Sequence, residues 1–522
     1  MTLHTPYMIA ARAWARALRG LALPLTLASV PAALAQPADP ADPQPGLVFS
    51  PCADAAWLEC GSLEVPLRYH VDDGRTVRLA VARAKAADPS RRIGVLFVHP
   101  GGHESGVDFL RDVLPVFPRF QALAERFDVV SLDPRGTGRS RPLHCAFDLL
   151  PPPVGEDDAT QIAYFDDYSR RVAAQCLDQD PLFVRSITGN NFARDIETFR
   201  AALHEDQLSF AMASNSGPVG AVYASLFPGK VRAMLIDSPV GPEHRDYWIE
   251  RRVEQGGSYE RTLQRLDQLC ERIPGCPLVD VGVVKAFDEI SARLAGRPLP
   301  LPGGGVFTAE DFASTFFSLL PREQLWAPTV GALAVALQGD LSPFIGLFQS
   351  GGAGDDGIVA RLCNDYGTRR TAADYLPITE AAGSIHPRFL NRQFLRFDAA
   401  MCAAWPPADP PIIRNAKLEV PALTFHSEFD SDAPFAWSQR LGQAMGNDRH
   451  VVRYQGGGHG VIDRAQPCIA DAVDGYLFDL ELPKEGLACA AEVAPPSIAG
   501  ESLTSGRPSA SVETPLRLRK GW

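Results

Sequence analysis

Four short apolar runs, each breaking into a loop, most constrain how this chain can fold. Ile93 to Val98 ends in His-Pro-Gly-Gly, and Phe127 to Leu132 ends in Asp133-Pro134-Arg135-Gly136. Gln207 to Ala213 and Val231 to Ile236 repeat the pattern, with helical stretches between them. Apolar strands alternating with helices call for a mostly parallel sheet covered on both faces, an α/β architecture. In such sheets ligands sit beyond the carboxyl ends of the strands, so the loops are where chemistry is to be sought. Ahead of these runs, Gly61 to Tyr69 and Arg75 to Ala84 read as strands joined by a hairpin at Asp72-Asp73-Gly74.

The rhythm then changes. Between about Val240 and Lys417 helical segments dominate, such as Asp246 to Arg272 and Thr308 to Leu319, with a Pro/Gly-rich break at Pro298 to Gly305. Strand rhythm returns at Leu418 to Thr424 and His450 to Tyr454. A helical block interrupting an α/β sheet reads as an inserted lid. The expected organisation is therefore a signal peptide over 1–35, a linker over 36–46, and the first part of the core over 47–240. A helical lid over 241–414, the second part of the core over 415–491 and a disordered tail over 492–522 complete it.

The leader rests on Arg12, Arg16 and Arg19 followed by the apolar stretch Leu21 to Ala35, which ends in Ala33-Leu34-Ala35 before Gln36. That stretch is 15 residues long, short of the roughly 20 that a spanning helix needs. The alternative is an uncleaved anchor. A mature protein without a membrane span, periplasmic or secreted, is expected. The ten cysteines suit an oxidising compartment. Counting does not fix their connectivity, but neighbours in the chain are expected to pair: Cys52 with Cys60, Cys145 with Cys176, Cys270 with Cys276, Cys363 with Cys402, and Cys468 with Cys489. No Cys/His cluster has zinc spacing, so neither a metal nor a cofactor is expected. The formal net charge of −12 and the lack of a basic run in the folded region argue against a nucleic-acid partner.

Met212-Ala213-Ser214-Asn215-Ser216 falls between an apolar strand and a helix starting near Gly217. A serine on such a turn is forced into a strained backbone conformation that lifts its hydroxyl above the sheet. Small residues usually stand two before and two after it; here they are Met212 and Ser216. Downstream, the strand-like Pro421 to Phe429 runs into an acidic loop with Asp430 and Asp432, and Gly456-Gly457-Gly458-His459-Gly460 follows. Ser214, Asp430 and His459 stand in the order a nucleophile–acid–base triad takes on such a sheet. Asp430 is preferred to Asp432 because it is nearer the strand end. The oxyanion donors would be the N–H of Asn215 and one from the Pro100-Gly101-Gly102 turn, Gly102 being the candidate.

The sequence resembles the secreted tripeptidyl-aminopeptidase and prolyl-aminopeptidase-like members of the α/β-hydrolase fold, from about Cys52 to Cys489. The matching pieces are Cys60 to Leu67 (CGSLEVPL), Phe127 to Ser140 (FDVVSLDPRGTGRS), Gly220-Ala221-Val222-Tyr223-Ala224, Cys363-Asn364-Asp365 and the stretch from Cys468 to Cys489. In that family the serine lies six residues before the Gly-Ala-x-Tyr-Ala stretch and the acid four before a proline. Those spacings imply Ser214 and, counting from Pro434, Asp430. The oxyanion loop departs from the family's pattern: it reads His99-Pro100-Gly101-Gly102-His103-Glu104-Ser105-Gly106, shorter and more polar.

The resemblance implies an exported serine hydrolase that cleaves single residues or short peptides from a free N-terminus, its substrate length limited by the lid. Such an enzyme needs an anion to hold the substrate ammonium, for which Glu104 and Glu243 are candidates by position. An esterase or amidase acting on a small acyl substrate would use the same triad. A weakened homologue retained for binding is the third possibility, raised by Met212 and the altered oxyanion loop.

Overall fold

The computed structural model describes residues 47–145, 157–241, 247–302, 304–350, 356–366, 368–389, 401–406, 421–446, 450–464 and 466–491. The expected leader, linker and tail lie outside them, as does Glu243.

Ten strands form one sheet: β1 (Phe49–Cys52), β2 (Ala55–Pro66), β3 (Thr76–Ala84), β4 (Gly94–His99), β5 (Phe127–Leu132), β6 (Leu208–Ala213), β7 (Val231–Asp237), β10 (Ala422–Phe429), β11 (Val451–Gly457) and β12 (Ala488–Cys489). Their order is β1-β2-β3-β5-β4-β6-β7-β10-β11-β12. The β1–β2, β2–β3 and β3–β5 pairs are antiparallel, and every pair from β5–β4 onward is parallel. The four apolar runs each breaking into a loop are β4, β5, β6 and β7, adjacent in the sheet. The remaining two strands, β8 (Leu299–Pro300) and β9 (Val306–Phe307), make a small hairpin where only a Pro/Gly-rich break is expected.

Alternation along each central strand divides the core in two. Val95 and Phe97 of β4, Phe210 and Met212 of β6, and Met234 and Ile236 of β7 join the apolar cluster on one face. Leu96 and Val98, Ala211, and Ala233 and Leu235 join that on the other. Side chains of successive strand residues point to opposite faces, so continuous apolar runs require cover on both. The helices Gly189–Ala202 and Gly217–Leu226 cover the first face; Gly106–Val113, Pro118–Ala124 and Pro467–Asp479 cover the second. The strand expected to reach Tyr69 ends at Pro66, opposite Thr76, with one further backbone bond from Leu67 N to Arg75 O at 2.8 Å. Tyr69 turns inward instead and donates its hydroxyl to Asp195 at 2.8 Å.

Between β7 and β10 the chain is mostly helical. Tyr259, Leu263, Phe287, Phe312, Phe316, Leu333 and Phe344 gather there in a separate apolar cluster. The helix Asp356–Asp365 behaves differently: Ile358, Val359, Leu362 and Cys363 belong to the cluster on the sheet. The cysteines form five disulfides: Cys52–Cys60, Cys145–Cys176, Cys270–Cys276, Cys363–Cys402 and Cys468–Cys489. Among the described residues no single helix is long and apolar enough to cross a membrane.

Candidate active site

Strand β6 delivers Ser214 to the carboxyl edge of the sheet. Its φ is +50°, the left-handed region that non-glycine residues adopt only when surrounding structure enforces it. A short turn over Ser214–Ser216 leads directly into the helix at Gly217. Ser216 helps to close the turn, its hydroxyl donating to Ala213 O at 2.6 Å. Met212 is fully buried, and a Cβ added to Gly220 would stand 3.1 Å from its sulfur. The large residue in the strand is thus matched by a missing side chain in the helix above it, and strand and helix still pack closely.

The Pro100-Gly101-Gly102 turn lies against this serine. Gly101 has φ +104°, and a Cβ there would fall 2.6 Å from Ser214 Cβ and 2.7 Å from Ala213 O. His99 staples the shortened loop: its Nδ1 accepts from Gly101 N at 3.3 Å and its Nε2 meets Glu104 O at 3.2 Å. Donation from Nε2 and acceptance at Nδ1 require the neutral ring. Burial, aided by the Arg361 charge, pushes His99 down to about 3 and keeps it neutral. Ser105 and Arg139 are joined through Asp133. This buried carboxylate accepts from Ser105 Oγ at 2.5 Å and from Arg139 N at 2.8 Å. Arg135 is paired with Asp195 at 2.8 Å and donates to Pro66 O and Leu67 O. The Asp-Pro-Arg-Gly loop is therefore scaffolding.

The base and the acid meet at the far end of the sheet's parallel part. His459 Nδ1 lies 2.8 Å from Asp430 Oδ2. The other oxygen of Asp430 accepts from Asp432 N and Ala433 N, each at 2.9 Å. Burial raises the Asp430 carboxyl, but His459, the neighbouring His426 and the Ala433 N–H outweigh it and hold the group below its ordinary value. Burial lowers His459, yet Asp430, Asp432 and Asp237 together push it up to about 9. Asp432 faces the opposite nitrogen, Nε2, at 3.8 Å.

Four residues outside the sequence expectations carry this histidine loop: Asp237, Ser238, Pro321 and Glu323. Asp237 at the end of β7 accepts from Val461 N at 2.8 Å and Ile462 N at 3.1 Å. Its burial raises its own carboxyl to about 6. Ser238 Oγ accepts from Gly460 N at 3.2 Å, while Val240 N donates to Ser214 O at 3.2 Å, so the loop after β7 touches both the serine turn and the histidine loop. From the helical segment, Pro321 O accepts His459 N at 2.6 Å, and Glu323 accepts Gly457 N at 3.0 Å and pairs with Arg464 at 2.8 Å. An acid at the end of a central strand is the only local signal that could have drawn attention to Asp237. Glu323 lies in a stretch with no motif at all.

The structure thus brings Asp430 and His459 together and sets Gly101, the neighbour of Gly102 in the turn, against Ser214. Ser214 Oγ has no hydrogen-bond partner among the described residues. Glu104 is half-buried beside Gly102, within reach of the Arg322 charge. No group of three or more His, Cys, Asp or Glu among the described residues could hold a metal ion.

The chain is similar to known hydrolases. The family model described as alpha/beta hydrolase fold matches residues 94–329, and that described as TAP-like protein matches 388–489. The tripeptidyl aminopeptidase of Streptomyces lividans is 28% identical over 511 residues, covering 93% of this chain and 91% of that protein. Serine protease Hip1 of Mycobacterium tuberculosis is 26% identical over 460 residues, covering 82% and 87% respectively. Carboxylesterase B of the same organism is 25% identical over 457 residues, covering 83% and 86%. The chain is a serine hydrolase of the α/β-hydrolase fold, similar over most of its length to a tripeptidyl aminopeptidase and matched by the TAP-like model over its C-terminal part.

Proposed function

We propose that this chain is an exported aminopeptidase that releases short peptides or single residues from free N-termini through an acyl-enzyme on Ser214. The observation that carries the reading is the 2.8 Å contact between Asp430 and His459 Nδ1, at the same sheet edge as a serine held at positive φ. In this reading Ser214 Oγ attacks the scissile carbonyl and His459 Nε2 takes its proton, then passes it to the leaving amine. Asp430 stabilises the imidazolium, and the N–H groups of Asn215 and Gly102 donate to the oxyanion. Water, deprotonated by the same histidine, releases the acyl product. The helical segment serves as the lid, bearing on the histidine loop through Pro321 and Glu323. The aminopeptidase relatives favour peptides as substrates. Five disulfides favour a periplasmic or secreted location.

The second reading, an esterase or amidase on a small molecule, is favoured by the similarity to a carboxylesterase. The weakened-homologue reading loses support because Gly220 absorbs the bulk of Met212. Labelling with a fluorophosphonate tests the triad: wild type labels and Ser214→Ala does not. Equal labelling of the two would remove Ser214 from the mechanism. Peptide anilides with free and blocked N-termini, compared with p-nitrophenyl esters, then separate peptidase from esterase.

A further inference from the structure

Arg361 belongs to the helix Asp356–Asp365, far in sequence from every triad member, and is 2% exposed. Its Nη1 donates to Gly102 O at 2.9 Å and its Nη2 to Asn215 O at 2.8 Å. Its Nε faces Asp365 Oδ2 at 3.3 Å, and Asp365 accepts Gly189 N at 2.9 and 3.1 Å through its two oxygens. One planar fork therefore spans the two turns that would supply the oxyanion donors, and it is itself anchored to the start of the helix Gly189–Ala202. Removing a guanidinium from water is costly unless geometry and hydrogen bonds compensate. Here one carboxylate and two carbonyls do so.

We infer that Arg361 is a positioning residue for the oxyanion hole, fixing the separation of the Gly102 and Asn215 turns and placing a buried positive charge behind them. Oxyanion stabilisation depends on donors held in place before the charge develops. A fork whose two arms each hold one turn supplies that constraint, and its charge adds to the favourable potential. The field reaches the loop, since Arg361 contributes to keeping both His99 and His103 neutral. An ammonium is a point donor and cannot hold two carbonyls in a fixed plane. The inference rests on Ser214 as the nucleophile.

The test compares wild type, Arg361→Lys and Asp365→Asn in the full chain. Active sites are titrated with a fluorophosphonate. Then kcat and KM are measured on trialanyl p-nitroanilide, together with inhibition by a peptidyl boronic acid, which forms a tetrahedral adduct. Losing one direct oxyanion donor costs about 10²–10³ in kcat, so misplacing donors should cost roughly 10–100-fold per titrated site. KM should stay nearly constant, and boronate affinity should fall in step with kcat. Asp365→Asn should show the same pattern to a smaller degree, and it keeps the question open to refutation if Arg361→Lys fails to fold. Unchanged kcat per titrated site and unchanged boronate affinity in Asp365→Asn and in any folded Arg361→Lys would overturn the inference. So would a loss explained wholly by fewer titratable sites. Labelling that persists in Ser214→Ala instead defeats the triad assignment, a separate outcome.

Discussion

Asp430 and Asp432 address opposite nitrogens of one imidazole, Asp430 at 2.8 Å from Nδ1 of His459 and Asp432 at 3.8 Å from Nε2. The arrangement favours the imidazolium, which is pushed up to about 9. A general base must be neutral to accept a proton. Activity should therefore climb from pH 7 through about 9. Asp432→Asn should move that rise to lower pH, each ~1.4 kcal/mol of lost attraction making the neutral fraction at pH 7 about tenfold larger. The pH profile of kcat/KM checks this, and an unmoved midpoint refutes the role given to Asp432. Stability follows the opposite sense: because the folded value lies above the ordinary 6.5, the contribution of His459 is complete below 6.5 and lost as pH rises through about 9.

Restoring a small residue at the Met212 position should harm the protein. Met212 is fully buried against Gly220, so Met212→Ala leaves a void and should cost about 2–5 kcal/mol. Denaturant unfolding measures the loss. A variant as stable as wild type would show that the sulfur contact fills no essential space.

Gly101→Ala should abolish serine labelling. Its methyl group would meet Ser214 Cβ at 2.6 Å, and φ of +104° is closed to alanine without strain. Circular dichroism together with fluorophosphonate labelling separates a folded, unreactive protein from an unfolded one. Full labelling would show that the turn can retreat from the serine.

Glu323→Ala should loosen the histidine loop. It removes the acceptor of Gly457 N and the partner of Arg464. The ion pair is partly solvated and adds little, so the expected cost is about 1–2 kcal/mol, mostly from the stranded N–H. Hydrogen exchange at Gly457 should accelerate, and kcat should fall because His459 N is held by the neighbouring Pro321 carbonyl. Unchanged exchange at Gly457 would sink the idea that this segment braces the base.

Much of the fold was legible because its signals are local. A buried parallel strand needs an unbroken apolar run, a turn needs its small or strained residues, and β4 to β7 show both within six or seven residues. The order of Ser214, Asp430 and His459 was legible for the same reason, as three loops each following a strand. Asp72-Asp73-Gly74 shows the limit: the turn was found, but Tyr69 left the strand for Asp195, a partner no local pattern could name.

By itself the sequence determined an α/β chain with a helical interruption, a serine–acid–histidine order and cysteines spaced as neighbours. Only the tertiary structure decided which nitrogen of His459 each aspartate faces, that Gly220 makes room for Met212, that Asp237 and Glu323 hold the histidine loop, and that Arg361 joins Gly102 to Asn215. The reason is physical. Strand and turn preferences act between near neighbours in the chain, whereas these contacts join distant segments whose approach is set by sheet order and helix packing.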